Sequence, residues 1–148
     1  HPRMASWITH PVLWATLLPW LVAQGIKIYL RSKKSGRLTF SAFTNTGGNP
    51  SAHSAVASAL SFSILLTEGF TTLFIASAVF ALVTINDSWN LRRAVGEEGK
   101  AVNEIIRTLR LDLPFRRYAI GHTPIQVGIG IVVGIIGSLL VLAAMGVL

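Results

Sequence analysis

Residues 123–148 carry no charged side chain, and nearly every position is apolar or glycine. A run of this kind exceeds the roughly 20 residues that carry a helix across a bilayer core, and a chain containing it has few alternatives to membrane insertion. Three further apolar stretches precede it, at residues 7–30, 51–66 and 70–85. Composition points the same way, with 51% hydrophobic and 13% charged residues, against roughly 25% charged in ordinary soluble domains. The pattern predicts an all-α fold: a polytopic membrane helix bundle of about four spans plus one amphipathic surface helix. Residues 4–148 are expected to form a single integral membrane domain, with His1-Pro2-Arg3 read as a tag remnant ahead of Met4.

Each stretch has its own features. The first contains Pro11, Pro19 and Lys27, and Pro19 is expected to kink or break the helix because proline lacks a backbone donor. The second and third are short, and only Thr67-Glu68-Gly69 joins them, which predicts an antiparallel helical hairpin. In the fourth, Gly130 and Gly134 have the spacing that lets helices approach closely. Between the first and second stretches, residues 38–43 form a short apolar piece expected at the interface. Residues 97–111 repeat Ala101, Val102, Ile105, Ile106 and Leu109 at helical spacing among mixed charges, as an amphipathic helix on the membrane surface or capping the bundle would.

The formal charge is +7 and the pI about 10.9. In a soluble protein this balance would suggest nucleic acid as a partner, but the basic residues sit between the apolar runs, so topology accounts for them and no nucleic-acid partner is expected. Lys27, Arg31, Lys33, Lys34 and Arg37 follow the first stretch; Arg92, Arg93, Lys100, Arg107, Arg110, Arg116 and Arg117 follow the third. The positive-inside rule then turns both connections toward the cytoplasm or its equivalent. His53 at the start of the second stretch, Asp87 to Arg93 at the end of the third, and His122 at the start of the fourth are thereby predicted to share one membrane surface. The chain has no cysteine, which excludes disulfides, thiolate metal sites and cysteine nucleophiles.

Phosphate is the substrate group that fits these residues. Gly47, Gly48, Ser51 and Ser54 at a helix start offer backbone N–H groups and hydroxyls to an anion. Lys27, Arg92, Arg93, Arg116 and Arg117 are cations able to neutralise it. One histidine can attack phosphorus while the other protonates the leaving oxygen. Two imidazoles serving one phosphate should lie about 5 to 8 Å apart, given hydrogen bonds near 3 Å on each side. Blander readings stand beside these: Asp87 paired with Arg92 or Arg93, Arg116 and Arg117 as topology and headgroup anchors, and His10 as interfacial.

The same motifs carry a resemblance. Pro50-Ser51-Ala52-His53 resembles the Pro-Ser-Gly-His motif of the type 2 phosphatidic acid phosphatase superfamily, and Arg116, His122 and Gln126 keep the frame of that superfamily's last motif. Gly47 to Ala55, Asp87 to Gly96 and Gly121 to Val127 together resemble its divergent branch, a bacterial and plastid family. The resemblance implies a lipid phosphatase without metal or other cofactor. His122 would form the phosphohistidine, His53 would be the general acid, and Ser51 with Arg116 would bind phosphate. Lys27, Gly48, Arg92, Arg93 and Gln126 complete the expected substrate-binding set, and Asp87 the catalytic one. The expected partners are a lipid phosphate such as a phospholipid or polyprenyl phosphate, membrane lipids, and a second copy of the chain completing the core as a homodimer. The location implied is the bacterial inner membrane or a plastid membrane.

Gln126 stands where the superfamily has Asp and the branch usually has Glu, and Asn49 where the branch usually has Met. A neutral amide orients His122 but does not stabilise its cation as a carboxylate would. Two other readings therefore stay open: a non-catalytic lipid-phosphate binder or scaffold, and a divalent-metal or transport site built from His53, Asp87 and His122.

Overall fold

Helix α1 (Pro11–Ser35) begins where Pro11 takes the first helical position, at which no N–H is needed, and ends at Gly36, which adopts φ 66°. A computed structural model describes residues 8–36, 48–115 and 122–148, with the side chains of 91–93 outside that description. Helix α2 (Ala52–Glu68) is capped by Ser51, whose hydroxyl accepts from the Ser54 N–H, and stops at Gly69. Helix α3 (Thr72–Asn86) is capped in the same way by Thr71. A π-helical turn, Asp87–Leu91, then leads without a break into α4 (Arg92–Thr108). Helix α5 (Pro124–Ala144) starts at Thr123 with proline again in its first turn. The described residues hold helices and turns only, so the all-α class expected from hydropathy is the class observed.

Helix α2 is the centre of the bundle. It packs against α1, α3 and α5, while α1 and α5 also pack on each other. Apart from Ile64, its buried positions are small: Ala52, Ser54, Ala55, Ala57, Ser58, Ala59 and Ser63. Small side chains let neighbouring backbones come close, which is how helices associate where hydrocarbon removes the hydrophobic drive between them. Helix α5 supplies the matching surface. A Cβ on Gly130 would overlap the Ser51 carbonyl, and one on Gly134 would overlap Ser58 Oγ and the Ala55 carbonyl. The glycine spacing of the last helix is thus used within the chain, against α2. Large apolar side chains such as Leu21, Val22, Phe80, Leu82, Val83 and Leu140 point outward, as they do when the solvent is lipid.

Among the described residues three helical runs have the length and apolarity to cross a membrane: α1, the continuous Thr72–Thr108 run, and α5. The expected fourth, α2, has 17 residues, about 25 Å at 1.5 Å per residue, against a hydrocarbon core of about 30 Å. Its partners bury Ser54, Ser58 and Ser63.

Other expectations shift in detail. Pro19 does not break α1; it lies inside the helix, and its ring fills the space left by Gly137, where a Cβ would come within 2.8 Å of Pro19 Cβ and Cγ. The amphipathic helix begins at Arg92 rather than near residue 97, because the π turn continues the helical backbone out of α3. One side of α4 exposes Val95, Val102, Ile105 and Leu109, and the other carries an exposed Glu104–Arg107 pair at 2.7 Å. The interfacial piece expected at 38–43 and the tag remnant at 1–3 lie outside the described residues.

If α2 and α5 are held by this close approach, Gly134→Leu should lower the thermal transition of the detergent-solubilised protein by the equivalent of about 1–3 kcal/mol or more, the usual cost of overpacking. Gly128→Ala, whose Cβ would meet nothing within 4 Å, should leave it nearly unchanged. Equal responses of the two variants would contradict the packing.

Candidate active site

Gly48 is the pivot of the polar end of the bundle. Its φ of 104° lies where side chains are rarely tolerated, and a Cβ there would stand 3.2 Å from Lys27 Cγ and 3.3 Å from Cδ. Glycine is therefore required twice, by backbone angle and by the Lys27 stem lying across it. Arg31, one turn further along α1, brings its Nε to 4.0 Å from the same point. Lys27 is 5% exposed, with its aliphatic stem buried against Gly48. Two cations so close repel one another, and an anion between them relieves that cost.

Backbone hydrogen bonds stitch the three polar segments together. The Ser51 N–H donates to the Gln126 carbonyl at 3.1 Å, joining the start of α2 to the first turn of α5. The His122 N–H donates to the Ser88 carbonyl at 3.2 Å, joining the entry of α5 to the π turn. Ser88 is itself buried, with its hydroxyl donating to the Ile85 carbonyl at 2.8 Å. π-Helical turns concentrate at functional sites, and this one supplies a carbonyl that positions His122.

The two imidazoles lie with ring centroids 6.4 Å apart and planes tilted by 58°, inside the separation expected for two groups serving one phosphate. His122 is almost wholly buried, and its Nδ1 lies 3.1 Å from the Gly48 carbonyl and 3.4 Å from Gln126 Oε1. Both neighbours are acceptors. The orientation of the Gln126 amide is set independently, because Oε1 accepts from the Thr123 N–H at 3.1 Å while Thr123 Oγ1 accepts from the Gln126 N–H at 3.3 Å, a reciprocal capping box. Nδ1 must then carry hydrogen, and the neutral ring keeps its lone pair on Nε2.

The structure thus brings together Lys27, Gly48, Ser51, His53, His122 and Gln126. Ser51 is fully buried, and its hydroxyl accepts from both Ser54 N–H, at 3.3 Å, and Ser54 Oγ, at 2.9 Å. Asp87 opens the π turn, and its neighbour Ser88 bonds through its carbonyl to the His122 N–H. Among the described residues no group of three or more His, Asp or Glu side chains gathers closely enough to hold a metal ion, so the metal site considered for His53, Asp87 and His122 is not assembled. Arg116 and the side chains of Arg92 and Arg93 lie outside the described residues.

Arg31, Ser88 and Thr123 are the residues that motif reading passed over. Thr123-x-x-Gln126 is a legible capping box, and Arg31 follows Lys27 at the i,i+4 spacing of one helix face; Ser88 acts through its carbonyl, which no side-chain pattern signals. Two apolar clefts lie elsewhere. One of about 510 Å³ runs between α1 and α5 beside Pro19 and Gly137, and one of about 640 Å³ lies near His10, Thr16 and Glu68; neither is lined by His53 or His122. Both are lined mainly by apolar side chains.

Membrane-length helices that gather two imidazoles, two cations and a helix start at one end define an integral membrane protein with a polar site at one end of its bundle. The chain belongs to the divergent PAP2 family, whose family model matches residues 8–137. It is 33% identical to the uncharacterized membrane protein YuiD of Bacillus subtilis (strain 168), in an alignment covering 89% of this chain and 94% of that protein. No solved structure matches the chain.

Histidine-selective ¹⁵N NMR of the detergent-solubilised protein should find neutral His122 as the Nδ1–H tautomer, the minor form in free histidine. Gly48→Ala should shift it toward the ordinary mixture. An Nε2–H tautomer in the wild-type chain would contradict the geometry.

Proposed function

We propose that the chain is a membrane-embedded phosphatase acting on a lipid phosphate through a phosphohistidine on His122. The observation that carries this reading is the pair of imidazoles at 6.4 Å, one of them held by carbonyl acceptors at Nδ1. In the proposed reaction Nε2 of His122 attacks phosphorus, and the P–O bond to the lipid alcohol breaks as protonated His53 gives its proton to the leaving oxygen. A water then attacks phosphorus as His53 takes its proton, the P–Nε2 bond breaks, and inorganic phosphate leaves with both histidines restored. Lys27 and Arg31 neutralise the phosphate oxygens. The Nδ1–H stays with the Gly48 carbonyl throughout, so the ring does not turn when it becomes cationic. Both basic connections facing the cytoplasm put this chemistry on the inner face of a bacterial membrane.

A second reading, a lipid-phosphate binder without turnover, is favoured by one observation: the partner of His122 contributed by the fifth helix is the neutral amide of Gln126. Purified protein should release phosphate from at least one of phosphatidate, phosphatidylglycerophosphate and a polyprenyl phosphate. His122→Ala should abolish release, and His53→Ala should lower kcat by about 10²–10⁴, the usual contribution of a general acid. Gln126→Glu preserves the capping box and adds a carboxylate, so it should raise turnover. Release undiminished in His122→Ala would refute the nucleophile, whereas binding without release in both the wild type and Gln126→Glu would establish the binder.

A further inference from the structure

Two amide side chains beside the histidine site, one buried and one half-buried, have no use in the reaction above. Gln24 is 7% exposed. Its Oε1, like Oδ1 of Asn49, is sealed from solvent and has no hydrogen-bond partner. An acceptor left in this state costs stability, and native structures retain few of them without a reason. Both belong to the same locality. Gln24 precedes Lys27 on α1 at the i,i+3 spacing of side-chain neighbours. The Lys27 stem crosses Gly48, whose carbonyl holds His122, and Asn49 is the next residue. The other buried unpartnered oxygen among the described residues, Thr16 Oγ1, lies toward the far end of α1 beside the cleft near His10 and Glu68, and forms no part of this group.

A phosphate group alone does not satisfy these oxygens. Its own ionised oxygens are acceptors, which Lys27 and Arg31 suit and amide carbonyls do not. The carbonyls require a donor, and the part of a phosphate ester that supplies one is a hydroxyl on its alcohol. Gln24 stands about 4.5 Å below Lys27 along the helix at ~1.5 Å per residue, which is on the scale of the span from phosphorus to a hydroxyl on the second carbon of the ester alcohol.

We propose that Gln24 and Asn49 recognise a free hydroxyl on the alcohol of the bound ester, so that the site selects a glycerol-type or other polyol lipid phosphate over a phosphate on a plain hydrocarbon chain. The inference rests on the reading of this end of the bundle as a phosphate-ester site. Sites built to hydrogen-bond a substrate hydroxyl discriminate strongly against analogues lacking it, because the buried partners are left unpaired.

The full chain in detergent would be given a 1-acyl-glycerol 3-phosphate, with its free hydroxyl at carbon 2, and the 2-deoxy analogue, which differs in that group alone. The expected ratio of kcat/KM is about tenfold or more in favour of the hydroxyl ester. Gln24→Met, which keeps the volume and removes the acceptor, should bring the ratio close to one; Asn49→Leu gives an independent variant should the first fold poorly. Equal kcat/KM for the two esters in the wild type, or a ratio unchanged in both variants, overturns the proposal. Should neither ester be hydrolysed, the phosphatase reading fails separately, and thermal stabilisation by the same pair decides this one: greater stabilisation by the hydroxyl ester supports it, and equal stabilisation overturns it.

Discussion

The hydrogen bond between His122 Nδ1 and the Gly48 carbonyl ties the entry of α5 to the segment before α2, and the polar end of the molecule is arranged around it. For that carbonyl to point at the ring, residue 48 must take a positive φ and must leave room for the Lys27 stem, so only glycine serves. Lys27 and Arg31 approach Gly48 from α1, and its carbonyl meets His122. His122 is held from behind by the Ser88 carbonyl, and Gln126 by its own capping box. A backbone carbonyl here does the orienting work that a carboxylate does in a histidine dyad, without adding a buried negative charge.

This arrangement is possible because of how the bundle handles polarity in lipid. Backbone polar groups within hydrocarbon must be satisfied internally, which leaves helix ends as the natural place for irregular, hydrogen-bonding chain. The centre of the bundle is correspondingly plain. Helix α2 presents alanine and serine inward, and the serine hydroxyls turn back to their own helix, as Ser58 Oγ does to the Ser54 carbonyl at 2.7 Å and Ser63 Oγ to the Leu60 carbonyl at 2.9 Å. The large apolar side chains face outward. Gly130, Gly134 and Gly137 let α5 sit so close to α2 and α1 that the first turn of α5 meets the start of α2 through Ser51 and Gln126.

Much of this was legible from the residues alone. Apolar runs and charge placement gave the helices and predicted a shared end for the three polar segments, and those segments do meet through Ser51, Ser88 and His122. What hydropathy missed was continuity and length. Nothing in the composition around Asp87 signals that α3 continues through a π turn, and a window of apolar residues does not distinguish a lipid-facing span from α2, which is apolar because it is enclosed. At the site, the residue types of Gly48, His53, His122 and Gln126 were readable because each acts through its own side chain or its glycine geometry. Ser88 was hidden because it contributes a carbonyl, and Gln24 and Asn49 because an unsatisfied buried oxygen is a property of packing.

The central claim is that His122 presents Nε2 to phosphorus and carries the phosphoryl group. Brief incubation of the purified protein with a lipid phosphate labelled in its terminal phosphate, followed by an alkaline quench and peptide mapping, tests it directly, since a phosphohistidine survives alkali and is lost in acid. The account predicts alkali-stable, acid-labile label on the peptide containing His122. Label on a different residue, or rapid turnover with no trapped label on His122, would contradict it.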